Sequence, residues 1–150
     1  MSLGRWHYSR VSGETKGGEA MIQVLGIGGI FFKASDPAGL RAWYRTHLGL
    51  DIQEWGGVIF RTPDGPGGQD VITVWNIFPT SSTYFAPSAA RFMINYRVAD
   101  LRAALADLRA EGCSVDERIE ESEFGQFGWV QDPEGNRLEL WQPPATRTPG

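Results

Sequence analysis

The residue best placed to do chemistry is Glu139, within the run Asp132-Pro133-Glu134-Gly135-Asn136-Arg137-Leu138-Glu139-Leu140-Trp141. Proline fixes φ at about −65° and Gly135 and Asn136 tolerate positive φ, so the chain reverses here and a strand begins near Arg137. Side chains alternate with a period of two, which puts Arg137, Glu139 and Trp141 on one face and Leu138 and Leu140 on the other. A leucine face opposite an acid, a base and a tryptophan suits a strand whose polar side lines a pocket. A solvated edge strand is the plain alternative. In a pocket, Glu139 is a general acid or base, or an acceptor that orients a ligand.

Other reactive side chains are sparse. His7 lies in a polar leader and His47 in the last turn of a helix, where an imidazole complements the helix dipole. The one cysteine, Cys113, has no partner for a disulfide and fits a reducing cytoplasm; just after a helix, it reads as a small buried hydrophobe. Gly26, Gly28 and Gly29 lack the spacing of a phosphate-binding loop. The formal charge of −4 comes without a basic stripe, so neither nucleic acid nor membrane is expected as a partner. No stretch approaches the roughly 18 apolar residues of a membrane span. An apolar fraction of 41% with six tryptophans means a packed core. Residues 1–20 show no periodicity and no apolar signal core, and are expected to be a disordered leader, with Met21 as the native start. Residues 144–150 read as a frayed tail.

The elements that must hold Glu139 repeat. Residues 24–34 form a Gly-rich apolar strand, and Ser35-Asp36-Pro37 caps a helix carrying Leu40, Trp43, Tyr44 and Leu48 on one face up to Gly49. Three strands follow at 50–55, 58–62 and 70–78. A linker rich in Thr, Ser and Pro, with Tyr84 and Phe85 embedded, then leads into a second copy of the pattern. A strand at 90–98 is followed by a helix capped by Asp100 with Leu101, Leu105 and Leu108, and by strands at 114–121, 125–131 and 137–142. Both halves, 24–78 and 90–142, read as β-α-β-β-β within one domain spanning 21–143. Matching the closing strands places Thr73 opposite Glu139 in the repeat, and Trp75 opposite Trp141.

The two strand-Asp-helix openings, the first with Trp43-Tyr44 and Leu48-Gly49, and the close Asp132-Pro133-Glu134-Gly135-Asn136 with Glu139-Leu140-Trp141, resemble the vicinal oxygen chelate superfamily. That superfamily groups glyoxalase I, bleomycin-resistance proteins and extradiol dioxygenases. The resemblance implies an α+β fold, two βαβββ modules forming a cupped mixed sheet around a shared cavity, often as a homodimer. It also implies that metal-dependent members hold a divalent ion on up to four side chains, from the first and last strands of each module. Those places fall on Gly29, Thr73, Met93 and Glu139. Glycine has no donor, a threonine hydroxyl is a poor one and a thioether is soft, so Glu139 alone is a retained ligand and no metal or other cofactor is expected.

Strand parity supplies the rest of the lining. Phe31, Lys33, Thr73, Trp75, Met93, Asn95, Arg97, Arg137 and Trp141 should surround Glu139, with Ile30, Phe32, Ile72, Val74, Ile94, Tyr96, Val98, Leu138 and Leu140 under the helices. Aromatic walls with three cations against one acid predict a site for a small aromatic or anionic molecule. Three readings follow: a metal-free binding protein of the bleomycin-resistance kind, an enzyme using Glu139 as acid or base, and a metal-dependent lyase, isomerase or dioxygenase.

Overall fold

The computed structural model describes residues 22–63, 65 and 70–145; the expectations for 1–20 and for 146–150 lie outside these. The element order is β1 (Val24–Ala34), α1 (Pro37–Leu48), β2 (Gly57–Thr62), β3 (Val71–Pro79), β4 (Phe92–Val98), α2 (Leu101–Ala110), β5 (Ser114–Ser122), β6 (Gly125–Gln131) and β7 (Arg137–Gln142). The strands form one sheet in the order β2-β3-β1-β4-β7-β6-β5. Parallel pairs β1–β3 and β4–β7 flank a central antiparallel β1–β4 pair, so the two halves meet edge to edge. Both helices pack on one face, so the other face carries the side chains of Glu139 and its neighbours.

Local chemistry sets the element ends. Asp36 caps α1 by accepting from the Gly39 N–H at 3.0 Å, and Gly49 closes it with φ 64°. Asp100 caps α2 from the Ala103 N–H at 3.1 Å, and the Leu101 N–H finds Gln142 Oε1 at 2.9 Å, tying α2 to the end of β7. Leu101, Ala104 and Leu105 are buried against Val98, Val130 and Leu140. In α1, by contrast, no residue is buried, and Trp43 and Leu48 are exposed; Tyr44 alone of the expected stripe packs its ring against the sheet, on Phe32 and Trp75.

The repeat is one strand short in its first half, because residues 50–55 form a loop. Gln53 N–H donates to Gly57 O and Gly56 N–H donates to Gln53 O, closing a turn. Arg41 of α1 captures Gly56 O at 2.9 Å and Ile77 O at 2.9 Å. The short link between helix and β2 is used up in turning, whereas β5 has nine residues. Cys113 is exposed rather than buried: it follows Gly112 at the helix exit, above the core that α2 covers. Among the described residues no helix is long and apolar enough to cross a membrane.

Candidate functional site around Glu139

The turn before β7 forms as its residues dictate. Asp132 Oδ1 accepts from the Glu134 and Asn136 backbone N–H groups, each at 2.9 Å, and Gly135 takes φ 82°. This delivers Glu139 onto the concave face, where it is 1% exposed.

One row of side chains crosses the sheet through it. Ile59, Val74, Gly29, Asn95, Glu139 and Trp129 are successive cross-strand partners on β2, β3, β1, β4, β7 and β6. Asn95 Nδ2 donates to Glu139 Oε1 at 2.6 Å, and Trp129 Nε1 donates to Oε2 at 2.9 Å. The Tyr84 hydroxyl, which the linker brings over the sheet, also donates to Oε2. Burial pushes the Glu139 carboxyl above its ordinary range, while the hydrogen bonds from Tyr84, Asn95 and Trp129, and the charge of Arg137, pull against that. Burial likewise raises the Tyr84 phenol, and the charge of Glu139 adds to it, so the phenol stays protonated and donates.

Of the residues that parity assigned to the lining, Phe31, Lys33, Met93, Asn95, Arg97, Arg137 and Trp141 share the Glu139 face. Thr73 and Trp75 do not. The ladder pairs Gly29 with Val74, so Val74 stands in the first half where Asn95's neighbour Glu139 stands in the second. Trp75 turns to the helix side and meets Tyr44 and Phe32. Aligning the closing strands on their tryptophans therefore misplaces β3 by one residue, and one residue of slip exchanges the two faces.

The cations are also engaged elsewhere. Arg97 Nη2 donates to Ile72 O at 3.0 Å and Ile27 O at 3.2 Å, and burial lowers its pKa. Arg137 pairs with Asp116 at 3.1 Å and lies over the Trp129 ring at 5.1 Å. Lys33 sits 5.2 Å from the centre of the Phe85 ring. Every hydrogen bond that Glu139 receives thus comes from a neutral donor, and Arg137 acts on the carboxylate only through its charge.

The sequence reading missed Tyr84, Trp129 and Val74. Tyr84 and Phe85 stood out as aromatics in a polar linker, a sign that the segment docks. Phe85 is wholly buried with Phe31, Met93 and Trp129, and Tyr84 and Phe78 pack against that group. Tyr84 and Phe85 therefore cover the face in front of Glu139. Among the described residues, an open depression of about 400 Å³ lies elsewhere, at the start of α1 between Lys33, Asp36, Trp43 and Arg91.

The superfamily's divalent metal does not fit this donor set. Among the described residues no three His, Cys, Asp or Glu side chains come together to share an ion. Gly29, Val74 and Met93 present no hard donor, and both Glu139 oxygens already accept hydrogen bonds.

A family model described as glyoxalase-like domain matches residues 29–141, and the chain belongs to that family. Solved structures with a similar fold include a Streptomyces coelicolor methylmalonyl-CoA epimerase variant in complex with 2-nitronate-propionyl-CoA, at 17% identity and TM-score 0.59, covering 85% of this chain and 100% of that one. The methylmalonyl-CoA epimerase of Mycobacterium tuberculosis is similar at 17% identity and TM-score 0.54, covering 85% and 93%. A Legionella pneumophila structure described as NAD-dependent benzaldehyde dehydrogenase is similar at 14% identity and TM-score 0.52, covering 77% and 98%. These identities speak for the fold alone. Comparison with curated proteins found no match.

Proposed function

We propose that this protein binds a small, flat aromatic molecule on its concave face at Glu139, without a metal. The observation that carries the reading is a buried carboxylate whose hydrogen-bond donors are neutral, two of them, Tyr84 and Trp129, belonging to an aromatic cluster with Phe31 and Phe78. Aromatic walls with one well-placed polar group describe a small-molecule site. The anionic half of the expectation loses its support, because Arg97 and Arg137 are committed to carbonyls and to Asp116. The test is ligand-observed NMR with a panel of phenols, anilines, benzoates and polycyclic aromatics. At least one should bind saturably, and Glu139→Gln should weaken it about ten-fold, which is about 1.4 kcal/mol. A panel without binders, or binding indifferent to that substitution, contradicts the reading.

A second reading has its own observation. A buried carboxyl whose pKa is raised by desolvation is a candidate for moving a proton. In that case a bound ligand with an acidic C–H exchanges it with D2O, and Glu139→Gln abolishes the exchange while leaving the fold unchanged by circular dichroism. Exchange unaltered in the variant removes Glu139 from that role.

A further inference from the structure

Tyr84 is held as a bound molecule would be. Its ring lies parallel to Phe78, with centroids 5.4 Å apart and 2° between planes, and edge-on to Trp129 at 6.2 Å and 88°. Its hydroxyl donates to Glu139 Oε2. The other two donors to Glu139, Asn95 and Trp129, come from β4 and β6, whose backbones are fixed in the sheet. Tyr84 alone of the three comes from a segment outside any strand, and it is half-buried where Glu139 is fully enclosed. Of the three donors Tyr84 is the most exposed, since Asn95 and Trp129 are both buried.

The segment is built so that this ring can leave without the rest. The Tyr84 backbone N–H donates only locally, to Ser82 Oγ at 3.2 Å, and the turn bonds from Ser82 to Pro79, Ala86 to Thr83 and Ser88 to Phe85 are internal to the segment. Phe85, the next residue, is the anchor: it is wholly buried and packs on Phe78 at 5.3 Å. A rotation about the Tyr84 side-chain bonds would vacate the place in front of Glu139 while Phe85 keeps the strap down. Removing the phenol leaves a buried carboxylate oxygen short of one donor, a costly state unless something else donates.

We propose that Tyr84 is an internal stand-in for the ligand, and that the ligand is therefore a neutral aromatic bearing its own O–H or N–H donor, a phenol or an aniline. This rests on the binding reading above and narrows it. A benzoate would bring a second carboxylate against Glu139, where like charges repel and desolvation is shared. An aromatic without a donor would leave Glu139 under-satisfied.

The experiment compares 4-methylphenol, 4-methylanisole and 4-methylbenzoate by calorimetry and ligand-observed NMR on the wild type, Tyr84→Phe and Tyr84→Ala. 4-Methylphenol matches the tyrosine side chain, and 4-methylanisole differs from it by lacking the donor. Tyr84→Ala should bind 4-methylphenol at least ten-fold more tightly than the wild type does, and at least ten-fold more tightly than it binds 4-methylanisole or 4-methylbenzoate. Tyr84→Phe keeps the ring and the packing, so it serves if the alanine variant does not fold; it should gain several-fold for 4-methylphenol. If aromatics bind but neither variant gains affinity for the phenol, Tyr84 is ordinary core and the inference falls while the binding reading stands. A preference for the benzoate also overturns it. If none of the three proteins binds any aromatic, including the wider panel, the binding reading falls and takes this one with it.

Discussion

At the residue scale, Glu139 is a contest between burial and hydrogen bonding. Burial favours the protonated form, so the folded chain holds this proton more tightly than the unfolded chain does. The contribution of Glu139 to stability is therefore full below the ordinary carboxylate pKa and declines as pH rises through that value and past the raised one. Urea denaturation of the wild type between pH 4 and 8 should show this decline, and Glu139→Gln, which cannot ionise, should flatten it. Equal slopes in the two proteins would mean that the three donors cancel the cost of burial. Gly28 is the second sensitive residue. It is the extra residue of a bulge in β1, between the pairs Ile27–Tyr96 and Gly29–Asn95. A Cβ there would overlap the side-chain oxygen of Asn95 and lie 2.7 Å from the Trp141 ring. Gly28→Ala should cost about 1–3 kcal/mol through overpacking, read by the same denaturation; a change below about 0.5 kcal/mol would show that Asn95 can move aside.

At the element scale, the helices are unequal. α2 buries Leu101 and Leu105 completely, and Gly128 on β6 leaves room for Leu105, since a Cβ at Gly128 would lie 2.7 Å from its side chain. Leu105→Ala should cost about 2–5 kcal/mol, whereas Leu48→Ala, at an α1 residue 60% exposed, should stay within about 0.5 kcal/mol. Thermal denaturation decides it, and comparable losses would contradict the assigned packing. Both helices were legible in the sequence because capping is local: Asp36, Pro37 and Gly49 act within a turn of their own positions. The exposure of Trp43 and Leu48 was not, since periodicity marks an apolar stripe without saying how much of the sheet lies beneath it. The missing strand at 50–55 has a similar cause, because the Arg41 contacts that hold this loop link distant parts of the chain.

At the scale of the whole molecule, the two halves share an architecture but not a site. The Asn95–Glu139 pair of β4 and β7 corresponds, by sheet position, to Gly29–Val74 of β1 and β3. The carboxylate and its amide partner thus lie in the second half of the sheet, and Tyr84 from the strap between the halves closes over them. The Asp132–Asn136 turn and the alternation after it made Glu139 readable from sequence, and the repeat made the fold readable. The register of β3 was not, because Trp75 and Trp141 are alike in type and opposite in direction. Tyr84 was hidden for a different reason: nothing local ties a linker residue to a carboxylate fifty-five positions away, and only the closed sheet brings them together.

In the proposed aromatic site Glu139 works as a hydrogen-bond acceptor rather than as a metal ligand. The most direct measurement is a calorimetric titration of the best-binding aromatic into protein purified without chelator, repeated with excess EDTA and with added Zn²⁺ or Mn²⁺, beside a titration of each metal alone. Unchanged affinity in all conditions and no stoichiometric metal uptake is the predicted result. Uptake of one metal per chain, or aromatic binding that appears only with metal or vanishes with EDTA, would contradict it.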